Sequence, residues 1–308
     1  VIVVTGATGN VGRTLVRLLA EAGEEVTAVS RRITGADVPP GVRAVAADLS
    51  DPAGLSDPAG LSDPAGLSDP AGASGPGDLS APGDLRPVLA EADALFLLTG
   101  GDLFATEPKE IVAGLRGPGR VVLLSSQGVV TRPDSPSHGR WGAELERALT
   151  DSGVRWTILR PGGFASNTFA WAGSIRARRT VAAPFGDVGL PVIDPDDIAE
   201  VAATVLREPG HDGRIYELTG PETVTPRRRA EIIGEALGEK VTFVEQSREE
   251  ARAEMLAYMP EPVADTTLAI LGEPNEAEVR VSPDVERVLG RAPRPFAAWA
   301  GRNVAAFR

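Results

Sequence analysis

The sequence predicts an α/β fold built on a doubly wound parallel sheet, and three observations predict it. Short, near-continuous apolar segments recur along the chain, amphipathic segments separate them, and a glycine-rich turn joins the first such pair. A chain of 308 residues with 42% hydrophobic and 24% charged residues has the material for a large core. The predicted division is a core over residues 1–160 and a mixed segment over 161–308, which completes the sheet and forms a small C-terminal cap.

The first element is the β-branched run Val1–Thr5. It leads into Gly6-Ala7-Thr8-Gly9-Asn10-Val11-Gly12, followed by an amphipathic stretch with Val11, Leu15, Leu18 and Leu19 at helical spacing. A second strand, Glu25–Ser30, comes next. Strand, glycine turn, helix and strand in this order are the setting of the Rossmann dinucleotide fingerprint. Gly6 permits the tight turn, Gly9 lets the backbone approach a pyrophosphate, and Gly12 lets the helix pack closely on the strand. The helix N-terminus, with its unpaired N–H groups and partial positive charge, then receives the phosphates. Gly6, Thr8, Gly9, Asn10, Val11 and Gly12 are therefore candidate cofactor contacts, against the plainer reading of a structural turn.

The end of the second strand selects the cofactor. An acid there would hold a ribose 2′-hydroxyl and repel a 2′-phosphate. This chain has Ser30-Arg31-Arg32 instead, a hydroxyl and two guanidiniums suited to a phosphate dianion. Arg31 and Arg32 point to NADPH, the competing reading being two solvated surface arginines. Further strands are expected at Arg43–Ala47, ending in Asp48 and Leu49, at Ala94–Leu98, ending in Thr99 and Gly100, at Val121–Ser125, and at Trp156–Leu159. Ligands of open parallel sheets sit outside the carboxyl ends of the strands. Asp48, Leu49, Thr99, Gly100, Ser125 and Ser126 thus fall along one crevice; for Thr99 and the serines, strand capping is the alternative.

Composition removes several functional classes. The chain has no cysteine, which excludes disulfides, thiolate nucleophiles and Cys-based zinc sites, and only His138 and His211 could supply imidazole, so no metal site is expected. A formal charge of −12 opposes general binding to a phosphate backbone, so no nucleic-acid partner is expected. No run of 18 apolar residues exists, so no membrane span is expected. The sequence as given opens directly on an apolar strand, and the expected location is cytoplasmic. Nothing in the sequence decides between a monomer and a homodimer.

The sequence resembles the atypical short-chain dehydrogenase/reductase group, in its NmrA-like branch, which includes NADPH-dependent quinone and triphenylmethane-dye reductases. The matching pieces are Thr5–Gly12, Ala47–Asp51, Leu124-Ser125-Ser126, Ser152-Gly153 through Thr157–Phe164, Ile193-Asp194 with Asp197-Ile198-Ala199, Tyr216–Pro221 and Val285–Gly290. The resemblance implies that Asp48 and Leu49 flank the adenine, and that Thr99 and Gly100 lie near the central phosphates. It also implies that Gly162 to Phe164 and Asn167 sit near the nicotinamide and the substrate. Tyrosine-dependent members of that superfamily use a Tyr-x-x-x-Lys pair. Here the only tyrosines, Tyr216 and Tyr258, have no lysine four residues on, and counting back from Ser152-Gly153 the pair falls on His138 and Gly142. Ordinary ketone–alcohol chemistry is therefore disfavoured, whereas an electron-poor quinone needs less help. His138 and Ser126 are the remaining proton-donor candidates, with a surface histidine as the alternative for His138.

From Asp51 the chain repeats Asp-Pro-Ala-Gly-Leu-Ser three times, to Ser68, and continues in degenerate copies to Arg86. One copy makes a good helix start, with Asp as N-cap and Pro at the first position. Repetition does not, because each new Pro and Gly breaks the helix before it. The expectation over 51–86 is an expanded surface loop, against a short solenoid or partner-binding arm. Past Pro161 come Phe164, Phe169, Trp171 and Phe185, a set suited to stacking on a flat substrate, with Phe164, Asn167 and Trp171 as substrate candidates. Phe185 and Trp299 are read instead as core between cap and sheet. Two functions fit: an NADPH-dependent reductase of a quinone or related conjugated aromatic compound, as in a tailoring step of secondary metabolism, or a dinucleotide-sensing regulator of the NmrA kind that binds a protein partner. The aromatic segment and the matching C-terminal part favour the reductase.

Overall fold

The computed structural model describes residues 1–47, 85–98, 106–115, 117–135 and 139–308. Its strands are β1 (Ile2–Thr5), β2 (Val26–Ser30), β3 (Arg43–Ala46), β4 (Ala94–Leu98), β5 (Arg120–Leu124), β6 (Arg155–Pro161), β7 (Thr180–Pro184), β8 (Arg214–Leu218) and β9 (Thr242–Gln246). Seven of them form one sheet in the order β3-β2-β1-β4-β5-β6-β8, and every neighbouring pair is parallel. The order reverses between β1 and β4, which creates the crevice where such sheets bind ligands. The six expected strands are all present, within two residues at each end.

Alternation along each strand supplies two cores. On one face, α1 (Gly12–Glu21), α7 (Pro195–Arg207) and α12 (Asp284–Leu289) bury Leu15, Leu19, Ile198, Val201 and Val285 against Val4, Phe96, Val122 and Leu159. On the other, α2 (Arg86–Ala90), α3 (Pro108–Gly114) and α5 (Arg140–Asp151) bury Leu89, Ile111, Leu145 and Leu149 against Val3, Leu95, Leu97 and Leu123. Because both faces are covered, the strands read as continuous apolar runs. Full burial of each Val, Leu or Phe is favourable by about 1.5–3 kcal/mol.

Helix α7 runs across the first face and is fixed at both ends. Asp194 caps its start by accepting from the Asp196 N–H at 3.0 Å, and Pro195 occupies the first helical position. At its end, the buried Arg120 guanidinium donates to the carbonyls of Val205, Leu206 and Glu208 at 3.0, 3.2 and 3.1 Å, complementing the negative pole.

The cap is assembled from distant segments. A 3-10 helix (Ala165–Trp171), α6 (Ala172–Arg178), α8 (Pro226–Leu237), α13 (Phe296–Arg302) and the paired strands β7 and β9 enclose Ile175, Val181, Ile233, Phe296, Trp299 and Phe307. Helices α9 (Arg248–Met255) and α10 (Glu261–Gly272) are joined by ion pairs from Arg252 to Asp265 and Glu261. The short α4 (Gly128–Thr131) is tied to α11 (Glu276–Val279): Arg132 pairs with Glu278 at 2.8 Å, and the Asn275 amide donates to the Thr131 carbonyl.

Candidate functional site

The glycines of the turn after β1 stand where a side chain would collide. Gly6 sits at φ +62°, and a Cβ on Gly12 would lie 2.1 Å from the Gly6 carbonyl oxygen. Gly9 donates its N–H to the same oxygen at 3.0 Å, so the turn closes on itself directly before α1. That brings backbone, and the positive end of the α1 dipole, to the crevice between β1 and β4. The turn is also tied to β2: the hydroxyls of Thr8 and Ser30 are hydrogen-bonded at 2.9 Å, and Arg13 donates to the Thr8 carbonyl at 3.1 Å. Arg31 and Arg32, both exposed, follow Ser30 at once. A glycine-lined cradle joined by hydroxyls to the strand end that two guanidiniums follow fits a dinucleotide with a 2′-phosphate.

A cavity of about 190 Å³ opens beside this turn. Gly9, Asn10, Arg13 and Thr14 form one wall; Ser166, Phe169, Asp194, Asp196 and Arg302 belong to the other. The walls are tied together, because Thr14 donates to Asp196 at 2.8 Å and Arg302 bonds both Asp194 and Asp196. Burial holds the Asp194 carboxyl above the usual carboxylate range, against the opposite pull of Arg302 and the Asp196 N–H. Sequence reasoning missed most of this second wall. The Asp194-Pro195 helix start was legible as a local signal; Arg302, 108 residues away from Asp194, had none.

The carboxyl ends of β5 and β6 give the third side. Ser125, expected at the cofactor, donates its hydroxyl to the buried Glu146 at 2.5 Å, and Glu146 is held by Arg160, so that hydroxyl serves an internal network. The Ser126 oxygen accepts the Gly128 N–H at 3.0 Å, which leaves its own proton to be donated elsewhere. Gly162 donates its N–H to Leu218, and a Cβ there would meet Gln127 Oε1 at 3.0 Å. Phe164 packs part-buried against the sheet core beside Ile193, and Asn167 is exposed. Gly142, where the superfamily lysine would stand, lies against α4: a Cβ there would sit 2.8 Å from Val129 Cγ2. Asp48, Leu49, Thr99, Gly100 and His138, and the hexad array up to residue 84, lie outside the described residues.

The aromatics divide differently from the expected stacking set. Phe169 packs on Trp299, ring centroids 5.0 Å apart, and on Phe307 at 6.0 Å, so it belongs chiefly to the cap core. Trp171 carries the Arg229 guanidinium over its ring at 5.2 Å. Trp299 is buried as expected, while Phe185 lies part-buried against Gly272 at a positive φ of 56°.

The profile of the NmrA-like family matches residues 1–293. The chain belongs to the NmrA-like family. It is 33% identical to a (4-alkanoyl-5-oxo-2,5-dihydrofuran-3-yl)methyl phosphate reductase of Streptomyces griseus, over 99% of both chains. It is 30% identical to an NAD(P)H azoreductase of Xenophilus azovorans, again over 99% of both. Among solved structures, an NADPH-dependent quinone oxidoreductase of Escherichia coli in complex with NADPH superposes with a TM-score of 0.73 at 21% identity, covering 98% of this chain and 99% of the other. That last likeness bears on the fold, which is the same parallel α/β arrangement.

Proposed function

We propose that this member of the NmrA-like family is an NADPH-dependent reductase of a quinone or related conjugated compound, working without a Tyr-Lys pair. One observation carries the cofactor: the glycine turn Gly6–Gly12 is joined through Thr8 to Ser30, which Arg31 and Arg32 follow directly. The full-length relatives support the reaction class, since one is named a reductase of a dihydrofuranone and another an azoreductase. Their named substrates share an electron-poor conjugated system, and the first also bears a phosphate.

When bound, the cofactor supplies a hydride, and a quinone that takes this hydride and one proton becomes a hydroquinone. The chain's part is to bind, orient and exclude water. Arg31 and Arg32 engage the 2′-phosphate, the turn and α1 engage the pyrophosphate, and the Gly162–Phe164 segment borders the reacting end. With Gly142 at the lysine position, no ammonium tunes a phenol to assist hydride addition, so formation of the high-energy alkoxide of a simple ketone goes unaided. A hydroquinone anion is far more stable and forms without that help, its proton coming from solvent, directly or relayed through the Ser126 hydroxyl.

The test is steady-state consumption of NADPH with quinones, an azo dye, an unsaturated lactone and simple ketones. Turnover of conjugated acceptors with simple ketones left untouched is expected. Comparable rates with simple ketones would overturn the account of the missing pair, and no turnover with any acceptor would overturn the reductase.

A further inference from the structure

Three consecutive arginines open α8, and they do not share one fate. Arg227 pairs with Asp187 and Glu245, and Arg228 with Glu231 and Glu235, all at the surface. Arg229 points inward. It is 8% exposed, its Nε has no hydrogen-bond partner, and among the described residues no acid pairs with it. Its guanidinium lies over the Trp171 ring. Burial lowers its pKa to about 10, so it remains a cation at neutral pH.

Buried polar atoms in folded proteins are nearly always satisfied, so those that are not require a reason. Among the described residues four buried side-chain atoms lack a hydrogen bond: Arg120 Nε, Ser166 Oγ, Thr168 Oγ1 and Arg229 Nε. Arg120 is satisfied through its other nitrogen and Asp212. Of the other three, Ser166 and Thr168 belong to the 3-10 helix, and Arg229 on α8 reaches that helix at Trp171. In a helix with three residues per turn, Thr168 and Trp171 share one ridge, which carries the Arg229 cation. Ser166, on an adjoining ridge, lines the cavity beside Gly9 and Asn10.

We propose that Arg229, together with the Thr168 hydroxyl, is the receptor for a phosphate monoester carried by the substrate. The assignment rests on the reductase reading above for the word substrate, but the anion site stands on its own geometry. A guanidinium fork whose Nε is unsatisfied, with a hydroxyl one turn from the ring it lies over, offers several donors to one group, which suits a tetrahedral phosphate dianion. A guanidinium is the side chain suited to that group, and the Trp171 face holds the fork in a fixed plane. Arg229 shares its helix face with the buried Ile232 and Ile233, so an apolar side chain here would join the cap core, and the cation stands against that preference.

The experiment uses Arg229→Met in the full chain, saturated with NADP⁺ so that the cofactor's own phosphate positions are filled. Inorganic phosphate should raise the melting temperature of the parent saturably. The variant should melt higher without phosphate, having lost an unpaired buried charge, and should not respond to phosphate. An equal response in both proteins, or none in the parent, overturns the proposal. If Arg229→Met does not fold, Thr168→Val carries the test, and an undiminished phosphate response there overturns it. A second arm compares a conjugated lactone bearing a phosphate monoester with the same lactone as its free alcohol. Arg229→Met should raise KM for the phosphate ester by roughly 10- to 100-fold, as for a lost charge-assisted contact, and leave the alcohol within about twofold. Unchanged discrimination with an intact phosphate response overturns the substrate assignment in favour of a free anion. Absence of turnover with either lactone, beside a phosphate response abolished by Arg229→Met, overturns the assignment of the phosphate to the substrate and supports the anion site alone.

Discussion

On the proposed function, Arg31 and Arg32 set the cofactor choice at the end of β2, which the Thr8–Ser30 hydroxyl bond fixes against the glycine turn. Arg31→Asp replaces a guanidinium by a group that repels a 2′-phosphate. NADPH affinity should fall by roughly 1.5–3 kcal/mol while NADH affinity holds or improves, as read by titration calorimetry. Equal affinity of the parent for both cofactors would contradict the assignment. Gly12 is a sharper probe, because the atom its Cβ would strike is backbone. Gly12→Ala should weaken NADPH binding by about tenfold or more, since turn and helix must part and the dipole moves with them. Retention of full affinity would mean the cradle yields cheaply. His138, a proton-donor candidate from sequence alone, should prove dispensable. Quinone turnover by His138→Ala should stay within about tenfold of the parent across pH. A loss of ~10²-fold, with an imidazole-like break in the parent that vanishes in the variant, would make it the general acid.

Among the elements, α7 links the sheet to the cap, and its carboxylates Asp197 and Glu200 are neutralised by arginines distant in the chain. Arg291 and Arg294 both bond Asp197 and Glu200. Burial alone would raise the Glu200 carboxyl, but the two arginines outweigh it and hold it below its ordinary value of 4.5. A lowered acid stabilises the fold above its unfolded pKa and loses that contribution as pH falls through the folded one. The melting-temperature gap between the parent and Glu200→Gln should therefore be widest above pH 4.5 and close below it. A gap independent of pH would mean the side chain acts by packing alone. The hexads between β3 and α2 are a separate case. Deleting Asp57–Ser80 keeps one Asp-Pro start before the helix containing Val88 and Leu89. Melting temperature and NADPH affinity should change little, since loop closure changes by only ~0.6 kcal/mol per doubling of length. Failure to fold or to bind NADPH would show the repeat packed on the domain. Elements with a local period were legible: β1, α1 and β2 announce themselves because apolar spacing and glycine position act within a few residues. The pairing of β7 with β9 was not, because β9 is largely exposed and its partner lies some sixty residues earlier, as in Val181↔Phe243.

For the molecule as a whole, the sheet and its cofactor rim follow from sequence-local rules, whereas the cap follows from contacts made at long range. Asp194 meets Arg302, Phe169 meets Trp299, and Trp171 meets Arg229, each joining residues far apart in the chain. Arg227-Arg228-Arg229 looks like a solvated basic run until the fold turns one of the three inward. No helix among the described residues is long and apolar enough to cross a membrane. What separates a reductase from a dinucleotide sensor with the same crevice is whether a reduced cofactor held there reacts. The most direct measurement is a single turnover: protein loaded with one equivalent of NADPH is mixed rapidly with excess quinone, and absorbance of the reduced nicotinamide is followed. Prompt loss of that absorbance, with one hydroquinone formed per NADPH and a rate far above that of the free cofactor, is the predicted result. Bound NADPH that survives mixing no faster in its decay than free NADPH would contradict the account.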